Sequence, residues 1–238
     1  MYVHHHLGIG DYIICNGLVR GLLKESQDGL VLATEASRED TVRQLYADTD
    51  VELHIVGDGI RDVTADREAE AEYENHDTVL RVGFENCARG TDWEKSFYDF
   101  VGMPYENRWS LFHFPRSVER ERRLLEKLDL PDKFAFVNTS TSRGDFDIPI
   151  ETELPIVRLT CVEGATLLDW IVVLEKATEI HTVDSGIFQL VKQYRFDKRK
   201  VFYDVRRGRG DGTPFTFNGE RWEINAGVIN RGPSHGNK

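Results

Sequence analysis

Tyr2-Val3-His4-His5-His6-Leu7-Gly8-Ile9-Gly10-Asp11 opens the chain, and Tyr12–Glu25 follows without a break. Tyr2–His6 reads as a strand and Leu7–Asp11 as a glycine loop. In the next stretch Ile14, Leu18 and Leu22, and beside them Cys15, Val19 and Leu23, recur at i, i+4. That spacing predicts a helix over Tyr12–Glu25 with a broad buried stripe. Strand, loop and helix in this order are the first beat of an alternation that runs along the chain.

After the Asp28-Gly29 turn, Leu30–Thr34 reads as a strand, Arg38–Ala47 as a helix and Val51–Val56 as a strand. Arg67–His76 is acidic with almost no apolar face, and reads as a solvated surface helix. Thr78–Phe84 is a strand. Asp92–Val101 is a helix with Trp93, Phe97 and Phe100 on one side. Ser117–Leu128 carries a Ser N-cap, an early Glu and later basic residues, so it is a well-signalled helix. Asp129-Leu130-Pro131-Asp132 punctuates the chain, and the alternation restarts after it. Phe134–Asn138 is a strand, Thr139–Asp145 a loop, Ile156–Val162 a strand and Leu167–Thr178 an apolar helix. Glu179–Val183 is a strand, Ser185–Tyr194 a helix and Lys200–Val205 a last strand. A hairpin is expected at Phe215–Ile224.

Strands alternating with helices imply parallel sheets covered on both faces. The expected class is α/β, with two Rossmann-like doubly wound domains. Residues 1–129 would form the first, 130–206 the second, and 207–238 a Gly/Arg-rich tail. One continuous larger sheet is the alternative. Ligands in such sheets bind beyond the C-terminal strand ends, which singles out Leu7–Asp11, Thr139–Asp145 and Asp184–Gly186.

With 238 residues the chain can bury a core without metal or disulfide staples. Thirty basic against 41 acidic residues give a net charge of −11, which argues against nucleic acid as a partner. No run of about 18 apolar residues predicts a membrane span, and no signal peptide is read at the N-terminus. Cys15, Cys87 and Cys161 are few and far apart, and read as reduced packing residues of a cytoplasmic protein.

The glycines at Gly8 and Gly10 let backbone approach a ligand, and a helix N-terminus favours an anion. Asp11 has two readings: a structural N-cap, or a general base at the mouth of a cleft. A dinucleotide fingerprint would need glycine where Ile13 stands, although Glu35 sits where a ribose-binding acid would. By alternation His4 and His6 share one strand face and His5 takes the other. They read as hydrogen-bonded histidines rather than metal ligands, with His6 nearest a bound ligand. In the second half, Thr139-Ser140-Thr141-Ser142-Arg143 directly after a strand suits a phosphate. The same stretch also fits a solvated loop. Asn138-Thr139-Ser140 is an accidental sequon. Asp184-Ser185-Gly186 suits either a capped helix start or a phosphate site. Arg206, Arg207 and Arg209 form a local basic patch, for a phosphate or for solvent.

Taken together, Leu7-Gly8-Ile9-Gly10-Asp11 before a helix and Asp184-Ser185-Gly186-Ile187-Phe188-Gln189 resemble the heptosyltransferase-like glycosyltransferases of GT-B fold. Gln189 stands where members carry histidine. The resemblance implies two Rossmann-like domains facing a cleft. It also implies inverting, metal-independent transfer of a sugar from a nucleotide-sugar donor, with no cofactor, to a glycan or other hydroxyl acceptor. Asp11 would be the base, with His6, Gly8 and Gly10 in the phosphate or acceptor loop. Thr139, Ser140, Ser142, Arg143, Asp184, Ser185 and Gly186 would hold the donor. Two other readings stand beside it: a relative that binds a nucleotide or glycan without turnover, and an NAD-dependent oxidoreductase using Gly8, Gly10 and Glu35.

Overall fold

The computed structural model describes residues 1–6, 8–58, 63–83, 92–142, 144–194, 196–205, 221–225 and 230–231. It divides into two compact units, Met1–Arg116 and a second that begins at Ser117. The sequence reading put this boundary at Asp129. The helix before it packs on the second unit instead: its Leu124 is buried, and Arg120 pairs with Asp169 of that unit.

The first unit holds β1 (Tyr2–His5), α1 (Ile9–Glu25), β2 (Leu30–Glu35), α2 (Glu39–Leu45), β3 (Val51–Val56), α3 (Val63–Ala71), β4 (Val79–Val82), α4 (Trp93–Phe100) and α5 (Asn107–Ser110). Its sheet has the order β3-β2-β1-β4, and every pair is parallel. The stripe predicted for α1 is the buried one, with Ile14, Cys15, Leu18, Val19 and Leu22 all packed inside. Two glycines of α1 face its neighbours. A Cβ on Gly17 would overlap the Asn107 carbonyl, and one on Gly21 would overlap the Met103 side chain. Chain passes that close only where a side chain is missing. Buried Arg108 of α5 pairs with buried Glu94 of α4, and Tyr98 donates from its hydroxyl to the Ile14 carbonyl at 2.7 Å.

The acidic surface helix starts at Val63, earlier than predicted, and buries Ala65 and Ala69. Two alanines one turn apart suffice as its apolar face. Phe97 is buried as predicted, whereas Phe100 is 41% exposed.

The second unit holds α6 (Val118–Leu128), β5 (Ala135–Asn138), β6 (Ser140–Thr141), β7 (Gly144–Asp147), β8 (Ile156–Arg158), α7 (Ile171–Lys176), β9 (Glu179–Val183), α8 (Gly186–Gln193), β10 (Arg199–Tyr203), β11 (Glu223–Asn225) and β12 (Asn230–Arg231). Its main sheet has the order β11-β10-β9-β5-β8, again parallel throughout. Two separate sheets, of four and five strands, replace the alternative of one continuous sheet.

Three local expectations change. Leu167–Thr178 is not one helix: a 3-10 turn at Leu167–Trp170, capped reciprocally by Thr166 and Asp169, precedes α7. Thr139–Asp145 is no open loop, because β6 and β7 form an antiparallel hairpin joined to β12. The expected hairpin at Phe215–Ile224 lies largely outside the described residues, and its end belongs to a parallel strand beside β10. Residues 207–238 are therefore not only a tail, since β11 and β12 come from them.

Lys198 donates to the carbonyls of Leu174, Glu175 and Ala177 and so closes the C-terminal end of α7. Cys15 is buried as expected, Cys161 is exposed, and Cys87 lies outside the described residues. Among the described residues, no helix is long and apolar enough to cross a membrane.

Candidate functional site

Residues singled out in the first unit gather at the C-terminal end of β1. The helix starts at Ile9, so Gly10 and Asp11 lie in its first turn and not in a loop. Gly8, with extended backbone, is the N-cap. Asp11 is therefore not the N-cap, which corrects one of its two readings. Its N–H donates to the Gly8 carbonyl at 2.9 Å. Its carboxylate turns back over Gly8, with Oδ2 2.6 Å from where a Cβ on Gly8 would stand. Any side chain at position 8 would strike that carboxylate. The carboxylate lies where the helix offers unpaired N–H groups and the positive end of its dipole. This is also where a dinucleotide would place its pyrophosphate, so the chain's own side chain occupies the anion position that the oxidoreductase reading requires. Glu35 ends β2 and is buried, with Arg38 Nε 3.8 Å away.

Alternation sorts the histidines as predicted. His4 is buried, with Nδ1 2.7 Å from the Tyr73 hydroxyl and Nε2 3.2 Å from Asp66 Oδ1. Burial pushes its pKa down to about 4, against the pull of Asp66. His6 feels the same carboxylate and donates a hydrogen bond to the Gly83 backbone, yet burial still keeps its pKa below the ordinary value. Its ring meets Phe97 edge-on at 6.0 Å. His5 faces the other way, edge-on to Tyr12 with ring centroids 4.5 Å apart. Its Nδ1 donates to the His6 carbonyl at 2.5 Å, and its buried Nε2 has no hydrogen-bond partner among the described residues. Desolvation drives its pKa down to about 3, so the ring is neutral. Among the described residues, no set of three or more His, Cys, Asp or Glu is placed to hold a metal.

In the second unit the structure brings the two predicted loops together at the C-terminal ends of β5 and β9. Asn138, which the sequence reading treated only as a strand end, is the joint. Its Nδ2 donates to Ser185 Oγ at 2.9 Å and to the Ser140 carbonyl at 3.1 Å. Its Oδ1 accepts from the Ser140 N–H at 3.3 Å. Asn138 is buried, so its amide is committed inside the fold, consistent with an accidental sequon.

The hydroxyls are largely committed as well. Ser185 caps α8 by accepting from the Phe188 N–H at 3.4 Å, accepts from Asn138, and donates to the Val183 carbonyl at 2.9 Å. A hydroxyl has one proton and two lone pairs, so Ser185 Oγ has no donor left for a phosphate. Ser140 Oγ donates to Asp145 Oδ1 at 2.5 Å, and Thr141 Oγ1 to the Gly144 carbonyl at 3.4 Å. The hairpin is also held by the Phe146 N–H donating to the Thr139 carbonyl at 3.0 Å. The rim also carries the Thr139 side chain, the exposed Ser142 and the helix start at Gly186. Asp184 is half-buried just before the cap, and Gln189 is buried in the first turns of α8. Arg143, Arg206, Arg207 and Arg209 lie outside the described residues. The sequence reading missed Asn138 and Asp145 as site residues. The available signal was an Asn at a strand end two residues before a Ser, the spacing of a local side-chain turn.

Two parallel α/β sheets in series, each with its candidate loops at the C-terminal strand ends, define a GT-B-like fold. The solved structure of ADP-heptose LPS heptosyltransferase II from E. coli is similar over 95% of this chain and 90% of its own, with a TM-score of 0.51 and 10% sequence identity. A family 9 glycosyltransferase from Veillonella parvula aligns over 85% of this chain and 79% of its own, with a TM-score of 0.45 and 11% identity. No family model and no curated protein sequence matches the chain.

Proposed function

We propose that this chain is a glycosyltransferase that moves a sugar from a nucleotide-sugar donor to an acceptor hydroxyl. The observation that carries the reading is the fold shared with a heptosyltransferase along nearly the whole of both chains. The two loops joined through Asn138 support it from within the second unit.

In this reading the donor's diphosphate lies at the rim formed by Thr139, Ser142 and the Gly186 end of α8. Arg143 adds positive charge. Asp184, Ser185 and Ser140 shape that rim, Ser140 and Ser185 through the bonds that hold it. The α8 N-terminus stabilises the negative charge that grows on the leaving diphosphate. Asp11 takes the proton from the acceptor hydroxyl. The acceptor oxygen then bonds to the anomeric carbon while the bond to the phosphate oxygen breaks. One such displacement inverts the anomeric centre and needs no metal.

One observation favours a second reading, a protein that binds a nucleotide or glycan without turnover. The Asp11 carboxylate is turned onto the start of its own helix. A donor screen with Asp11→Asn separates the two. Thermal shift against nucleoside diphosphates and their sugars should show a selective rise in Tm for one base. For an enzyme, Asp11→Asn should keep that rise and lose transfer by about 10²–10⁴-fold. Binding that is intact in both proteins, with no transfer by either to any acceptor, would favour the second reading. Absence of any nucleotide-induced shift would refute the transferase and the nucleotide-binding form of the second reading.

A further inference from the structure

Away from both candidate loops, the second unit has a hollow of about 330 Å³ between α6 and the turn at Val162–Ala165. Arg120, Arg123 and Lys127 line it from one side of α6, over a floor that includes buried Leu124. Glu163 is the one carboxylate among the lining residues. Residues three and four apart on a helix share a face, and like charges there repel by a few tenths of a kcal/mol per pair. In a chain of net charge −11, this face concentrates cations.

How these side chains are held decides what the hollow offers. Arg120 donates from Nε to Asp169 Oδ2 at 3.0 Å. That carboxylate is fully buried and also accepts from the Thr166 N–H at 2.7 Å, as half of a reciprocal cap. The guanidinium is thus anchored through Nε, and its two terminal nitrogens have no other partner among the described residues. Arg123 likewise uses Nε on Glu119 at 2.9 Å. Lys127 gives one N–H to the Glu163 carbonyl at 2.9 Å. Two guanidinium edges and an ammonium, each tethered at one atom, keep donors to spare.

We propose that this hollow binds a small polyphosphate anion of diphosphate size, using the terminal nitrogens of Arg120 and Arg123 and the Lys127 ammonium. The chemistry favours phosphate over a single carboxylate, because forked guanidinium donors pair with two oxygens at once. The volume lies at the small end of the range for ligand sites, about 300–1,000 Å³. It suits a diphosphate group rather than a whole nucleotide sugar. The inference does not rest on the transferase reading.

The test is a titration of the intact chain with inorganic pyrophosphate at low salt, followed through the arginine Nε–H signals by NMR. Saturable shifts of the Arg120 and Arg123 Nε–H signals are expected, and they should weaken as salt screens the charges. The variant Arg123→Gln/Lys127→Gln removes two exposed cations and spares the Arg120–Asp169 anchor, so it should fold normally. It should bind about tenfold more weakly or worse. Ser140→Ala, which does not line the hollow, should leave those shifts unchanged. Signals that stay still, or a double variant that binds as tightly as the parent, would overturn the proposal.

Discussion

Removing one oxygen, with Ser185→Ala, tests how the rim of the second unit is built. In the structure Ser185 Oγ caps α8 through the Phe188 N–H, accepts from Asn138 Nδ2 and donates to the Val183 carbonyl. Loss of an N-cap hydroxyl costs about 1 kcal/mol. Asn138 keeps its bond to the Ser140 carbonyl, so its amide loses one of two acceptors. The net worth of that neutral bond is about 1 kcal/mol. The sum is about 2 kcal/mol, equivalent for a unit of this size to about 8 °C in Tm. Urea denaturation of parent and variant, followed by circular dichroism, measures it. Ser185→Thr keeps the oxygen on a backbone that is already extended, and should recover most of the loss. A cost below about 0.5 kcal/mol for the alanine variant would refute the shared-oxygen account.

Acid should weaken the first unit through His5. Its folded pKa of about 3 lies below the ordinary value of 6.5. The unfolded chain therefore takes up the proton first, and stability present above pH 6.5 is lost as pH falls toward 3. At pH 5 the loss is about 2 kcal/mol against pH 7.5, and His5→Gln should flatten this slope; an unchanged slope in the variant would assign the pH dependence elsewhere. Arg108→Met strands the Glu94 carboxylate in the core and should cost about 3–5 kcal/mol in urea, part of it regained by adding Glu94→Leu; a cost under 1 kcal/mol would mean water reaches Glu94. Gly17→Ala gains about 1 kcal/mol of helix propensity but drives a methyl into the Asn107 carbonyl. A net loss is expected, and a rise in Tm would show that α5 shifts freely.

The elements legible in the sequence are those whose apolar spacing is long enough to repeat. The α1 stripe shows in two i, i+4 series, and all but Leu23 of the six predicted positions are buried. Its start was not legible, because two glycines disguise a helix that already runs at Ile9. The hairpin of β6 and β7 was hidden for a different reason. Its strands are two and four residues long, and its order comes from polar side chains of Asn138, Ser140 and Asp145 rather than from alternation. Helix α5 is four residues long and carries a buried arginine. A charged residue is assigned to the core only with its counter-ion in view, and Glu94 stands fourteen positions earlier. For the site, the two loops of the second unit were legible as strand-end segments rich in hydroxyls. That most of those hydroxyls are taken up by neighbouring side chains and backbone was not, because a sequence shows donors without showing what they face.

Strand β11 forms one edge of the five-stranded sheet and is held to β10 by backbone pairing and by the Arg199–Glu223 ion pair. Its residues come from far along the chain, after β10 itself has been laid down. A nascent or clipped chain that stops short of Glu223 would leave β10 as the outermost strand. The exposed ladder would then be Val201-Phe202-Tyr203, which is apolar and otherwise buried. Unpaired strands of that composition recruit other chains. The short segment at 223–225 thus covers a strand edge that would otherwise be open to pairing with another chain.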